Sequence, residues 1–136
     1  MLLWIFRRID LKNYNKRMAK KKTTKIKKIT KKKQLSMART LKRKKLSEWS
    51  KEVRNRDGQC VVCRSKKNLN AHHILPKENY KEFMFVVLNG ISLCCKHHKF
   101  SKFSAHKNPI WFSKFLQDFR IEQYEWACNN VGNDEN

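Results

Sequence analysis

The chain has 136 residues, with 33 Lys+Arg against 11 Asp+Glu and a formal net charge of +22. Such an excess opposes compaction and calls for a polyanionic partner, most often nucleic acid, which argues against a neutral metabolic enzyme or a secreted carrier. With 40% hydrophobic residues, 3 Gly and 2 Pro, the chain can build one modest core plus tails, and collagen-like or loop-dominated architectures are excluded.

In chain order, Met1-Leu2-Leu3-Trp4-Ile5-Phe6 comes first. It is too short to span a bilayer, which takes about 20 residues. Its charges, Arg7 and Arg8, follow the apolar run instead of preceding it, unlike a secretion signal. The expectation is a protein that is neither secreted nor membrane-bound, residing in the cytoplasm (a host's, if the chain is viral). Met18 and Met37 are alternative starts, and 1–17 reads as an upstream extension of the frame.

Charge then divides the chain. Residues 1–56 hold 22 Lys+Arg and 3 acids, and residues 57–136 hold 11 and 8. No acid lies between Asp10 and Glu48, and Lys20-Lys21-Lys22, Lys31-Lys32-Lys33 and Arg43-Lys44-Lys45 punctuate that stretch. Residues 1–45 therefore read as a basic arm, disordered in isolation, that binds DNA through these clusters. The plainer reading is a solvated tail.

Leu46, Trp49 and Val53 recur at helical spacing and predict a helix over 46–56, with Ser47 as N-cap and Gly58 as its stop. A short strand is expected over 68–75, and a second over 86–93 interrupted at Asn89-Gly90, a turn signal. Residues 96–102 read as helical. Asn108-Pro109 offers an N-cap and an N1 proline for a closing helix over 109–127, backed by Ile110, Trp111, Phe112, Phe115, Leu116 and Phe119. Cys128 reads as a buried apolar residue, and 129–136 as a polar tail. The folded domain is thus placed at 46–128, a small α+β unit.

Five cysteines with a single CxxC fit metal binding in a reducing compartment better than a disulfide framework. Cys60-x2-Cys63 is followed after 30 residues by Cys94-x2-His97. Two such pairs can close a tetrahedron around one structural Zn²⁺, a staple that an 80-residue domain commonly needs. Cys95 with His98 has the same spacing; Cys94 with His97 is preferred because it frees His98 for a second site. His72 and His73 are neighbours on the first strand, so their side chains point to opposite sides.

Taken together, Cys60-x2-Cys63, Ala71-His72-His73-Ile74, Asn89-Gly90-Ile91-Ser92-Leu93-Cys94 and His97-His98 resemble an HNH endonuclease of the zinc-stapled type common in phages and mobile elements. The resemblance runs from Trp49 to Phe112. Fifteen residues separate His73 from Asn89, and eight separate Asn89 from His98. The resemblance implies a ββα-metal core with flanking helices. It implies His73 as general base, His72 and His98 as ligands of one catalytic ion (Mg²⁺, Mn²⁺, Ni²⁺ or Zn²⁺), and Asn89 as the brace of the loop that orients the base. His97 stands where many relatives have a fourth zinc cysteine. The third protein ligand of the catalytic ion is open; His106 is a candidate, although its surroundings favour a surface or capping histidine.

A neutral imidazole suits activation of water, and a divalent ion suits clamping a phosphate. The expected function is metal-dependent DNA hydrolysis. The alternatives are a non-catalytic zinc module that binds nucleic acid and a basic RNA-associated zinc protein. A monomer and a dimer are both open.

Overall fold

A computed structural model describes residues 11–131 of the chain. The apolar start Met1–Phe6 and the tail beyond Val131 lie outside the described residues. The chain divides into two compact units, Met1–Lys42 and Arg43–Asn136.

The described part of the first unit is helix, the beginning of α1 (Leu11–Asp57). Every described side chain from residue 13 to 42 is exposed. The charge run predicts a disordered arm and a helix beginning at 46; instead helix runs from Leu11, and Ser47 lies inside it, capping nothing. Lys, Arg, Ala, Leu and Met are strong helix formers, and neither Gly nor Pro occurs in this span. Thr24, Thr30 and Thr40 also return their hydroxyls to carbonyls four residues back.

The second unit is a small α+β arrangement. Within it, α1 ends at Asp57 and Gly58 takes φ +64°, the left-handed conformation that favours glycine, its N–H donating to Arg54 O. Strands β1 (Leu69–His73) and β2 (Gly90–Cys94) pair antiparallel, with His73 opposite Gly90 and Leu69 opposite Cys94. A single wide turn, Lys96–Phe100, follows β2 and is closed by Ser101 N–H to Lys96 O. Helix α2 is Pro109–Phe119, with the Asn108 side chain accepting from Trp111 N–H as the sequence predicts.

The closing helix is two helices, not one. It breaks at Arg120, and α3 runs Ile121–Val131. The break turns the Arg120 guanidinium onto Asp57 at 3.0 Å, and Arg120 Nε onto Gln123. Gln123 in turn donates to Leu88 O and Gly90 O.

The core gathers Cys60, Ile91, Leu93, Cys94, Ala105, Phe112 and Leu116. All five β2 residues are buried. Three expected core residues fall outside it: Ile110 and Phe119 are 84% and 71% exposed, and Cys128 is exposed. Ala127 takes the inward place on α3 that the sequence reading gave to Cys128. No helix among the described residues is long and apolar enough to cross a membrane.

Asp57 ties three elements together. Its carboxylate, 2% exposed, meets Arg56 and Arg120 and accepts from Ser92 N–H at 2.8 Å. Burial pushes its pKa up, but Arg56, the Ser92 N–H and Arg120 more than reverse this and hold it below the usual carboxylate value. Asp57→Ala would leave the Ser92 N–H unsatisfied and two guanidinium groups without their carboxylate. We expect a loss of about 2–3 kcal/mol, less than for a fully buried pair because both arginines reach solvent. Urea denaturation checks it; an unchanged midpoint would show the knot to be dispensable.

Candidate active site and metal centre

The first cluster forms around the knuckle after α1. Cys60 N–H donates to Ser65 O and Arg64 N–H to Cys60 O, curling residues 60–65 so that both thiols face one point. Val61 N–H joins the knuckle to β2 through Ser92 O. Cys94 ends β2, and His97 lies one turn on. The Sγ atoms of Cys63 and Cys94 are 3.7 Å apart, and His97 Nδ1 is 3.7 Å from Cys60 Sγ and 3.3 Å from Cys94 Sγ. Ligands of one tetrahedral Zn²⁺ would lie about 3.8 Å (S to S) and about 3.5 Å (S to N) apart, from bonds of about 2.3 and 2.0 Å. The donor set Cys60, Cys63, Cys94 and His97 therefore fits such an ion in chemistry and spacing.

Cys95 stays outside this cluster. Its sulfur lies 3.3 Å from Asn70 Nδ2 and 3.6 Å from Asn68 O. Burial pushes the Cys60 thiol up, and N–H groups of Cys94, Cys63 and Val62 more than reverse it, favouring the thiolate. Burial and the neighbouring thiols push Cys63 up.

The second cluster joins His72, His98 and His106. The loop after the wide turn folds back on it: Ala105 N–H donates to His97 O and His106 N–H reaches His98 O. That return brings His106 Nε2 to 3.2 Å from His98 Nε2, while His72 lies edge-on to both rings, with centroids 5.2 and 4.9 Å away. Nitrogens sharing an ion at about 2.1 Å lie about 3.0–3.4 Å apart, so this set also fits a divalent cation. Burial pushes the His72 pKa down to about 3, helped by His98 and His106. Burial, His106 and Lys99 push His98 down to about 4. At neutral pH both present lone pairs with no proton to displace.

His73 points away from this cluster's rings, as strand alternation requires. Its Nε2 donates to Met84 O at 2.9 Å, leaving Nδ1 with its lone pair. Burial and Lys77 lower its pKa, and the Met84 carbonyl partly offsets them. Asn89, fully buried, ends a short 3₁₀ turn, Val87–Asn89. Its side chain accepts from Leu75 N–H and donates to Leu75 O and Phe83 O. It thus clasps the end of β1 to the loop that carries Met84.

A cleft of about 860 Å³ opens over this region, lined by His72, His73, His98 and His106, by Lys77 and Lys99, and by Phe112, Tyr124 and Cys128 from the closing helices. The structure thus brings His72, His98 and His106 together and places His73 on the same cleft, while Asn89 is buried and holds the end of β1 to the loop carrying Met84. Lys20–Lys22 and Lys31–Lys33 lie on the helix of the first unit, solvent-exposed. Arg43-Lys44-Lys45 are exposed on α1 in the second unit.

Sequence reasoning missed the role of Gly90. Asn89-Gly90 reads as a turn, yet Gly90 is extended (φ −115°, ψ 148°) and opens β2. A Cβ there would collide with the side chains of Val53 and Trp49. Asp57, Arg120 and Gln123 were also missed; an isolated acid or amide gives no periodic signal.

No curated protein and no solved structure matches the chain. Residues 60–104 match the family described as HNH endonuclease, a span holding both cysteine–histidine pairs, His72, His73, Asn89 and His98. Through that segment, about a third of its length, the chain is similar to HNH endonucleases.

Proposed function

We propose that the chain is a metal-dependent DNA endonuclease with a ββα-metal core, stapled by Zn²⁺ at Cys60, Cys63, Cys94 and His97. The observation that carries this reading is the second cluster. A purely structural zinc module needs the first four ligands and has no use for His72, His98 and His106 converging 3.2–5.2 Å apart beside a fourth, differently held imidazole.

In this reading the free nitrogen of His73 takes the proton of a water as its oxygen attacks phosphorus. The bond to the 3′ oxygen breaks, and that oxygen ends protonated from solvent. A divalent ion held by His72, His98 and His106 would supply positive charge to the phosphate and the leaving oxygen. Asn89 keeps the loop carbonyl at Met84 in place, so His73 retains one tautomer. Lys77 and Lys99 line the cleft and offer cations to flanking phosphates.

The arm, Lys20–Lys22, Lys31–Lys33 and Arg43–Lys45 above all, supplies sequence-independent affinity for duplex DNA. Removing residues 1–40 should weaken binding and make its salt dependence shallower, by about 0.9 in the log–log slope for each phosphate that the arm neutralises. Fluorescence anisotropy across a salt series checks this. An unchanged slope would place the arm off the DNA.

Plasmid cleavage by purified protein with Mg²⁺, Mn²⁺ or Ni²⁺ tests the function itself. Conversion of supercoiled to nicked or linear DNA is the expected outcome. Tight DNA binding and bound zinc without cleavage by any ion would instead identify a non-catalytic module, and cleavage of RNA alone an RNA enzyme.

A further inference from the structure

Trp49 is 5% exposed and sits on α1 facing the hairpin. Its indole lies flat on the His73 imidazole, with ring centroids 3.8 Å apart and planes 10° from parallel. Its Nε1–H donates to Val86 O at 2.9 Å. Gly90, the cross-strand partner of His73, supplies the space: a Cβ at that position would meet the indole.

These contacts constrain one imidazole in complementary ways. The bond from His73 Nε2 to Met84 O fixes the rotation of the ring within its plane. The stack fixes the plane. Trp49 also steadies the carbonyl end of the first constraint, because Val86 and Met84 belong to the same short loop. Asn89 holds that loop at a third carbonyl, Phe83 O. An indole needed only to fill core would not have to lie parallel to a histidine.

We propose that Trp49 is a positioning residue for His73, holding the imidazole plane so that its free nitrogen faces the cleft. The assignment rests on the reading of His73 as general base. A misplaced base lowers the chemical step while substrate binding stays intact. Loss of the stack should therefore appear in kcat and leave KM unchanged.

The test uses the full chain, zinc-loaded, with Mn²⁺ added. Trp49→Phe and Trp49→Leu are made alone and with His73→Ala. Rates are measured on duplex DNA and on bis(4-nitrophenyl) phosphate, whose good leaving group keeps the His73→Ala rate measurable. Zinc content and circular dichroism accompany each variant. Trp49→Leu should lower kcat by about 10- to 100-fold at unchanged KM and zinc content. Trp49→Phe, which keeps a ring face, should restore most of the rate. In the His73→Ala background Trp49→Leu should change nothing further, because the two act as one unit.

Wild-type kcat in Trp49→Leu, or an equal fold-loss with and without His73, would overturn the proposal. Full activity in His73→Ala alone would instead defeat the general-base reading. Should Trp49→Leu fail to fold, the His73 ring protons in wild type decide by NMR. Indole ring current must shift them upfield, and unshifted protons would mean that the stack does not exist in solution.

Discussion

His73→Ala should lower cleavage by about 10²–10⁴-fold, the usual range for loss of a positioned base. Zinc content and DNA affinity should stay near wild type. The separation is expected because His73 belongs to neither metal cluster. The pH profile gives a second readout. Burial and Lys77 hold the His73 pKa below its ordinary 6.5, so the ring is neutral at pH 7 and needs acid to be protonated. Activity should therefore be flat through neutrality and fall only as pH drops below 6.5 toward the lowered pKa. In His73→Ala the residual rate should lack that limb. Single-turnover plasmid assays over a pH series measure both. Loss of zinc or fold in the variant, or an undiminished rate, would remove His73 from the role.

Cys63→Ser should release zinc and unfold much of the second unit. Cys63 is exposed, so replacing its sulfur by oxygen disturbs little packing and the effect isolates ligation. Structural zinc contributes on the order of 10 kcal/mol of apparent folding free energy in small domains. In the stapled reading the second unit would depend on it more than a larger domain would, because its sheet has two strands and isolated hairpins are marginal at best. Thermal melts with zinc quantified by a chromogenic chelator provide the check. A Cys63→Ser protein that melts and cuts like wild type would defeat the stapling scheme.

What was legible in the sequence was what repeats or pairs at short range. Cys60–Cys63 and Cys94–His97 announced themselves by spacing; the second pair, expected at the start of a short helix, begins at the end of β2 and closes in the wide turn. Gly58 and Asn108-Pro109 marked real ends because each acts on its own backbone. Long-range partners were not legible. Asn89-Gly90 has the composition of a turn, but which residues need the space above Gly90 depends on a helix 37 positions away in sequence at Val53. The break at Arg120 had no Gly or Pro to betray it; its carboxylate partner, Asp57, lies 63 residues upstream. His106 reads as a surface residue and is exposed; what nothing local tells is that its loop returns to His97 and His98. The arm misled for a different reason: charge density argued for disorder, while the individual residues are strong helix formers.

His97 and His98 share one peptide bond, yet one ring faces three sulfurs and the other faces two imidazoles. By contrast, 30 residues separate Cys63 from Cys94, and much of that span is loop. Between these two histidines there is no slack. A single inserted or deleted residue would misalign both clusters at once. The frame of this one turn is therefore shared by both clusters, and neither can be re-spaced without the other.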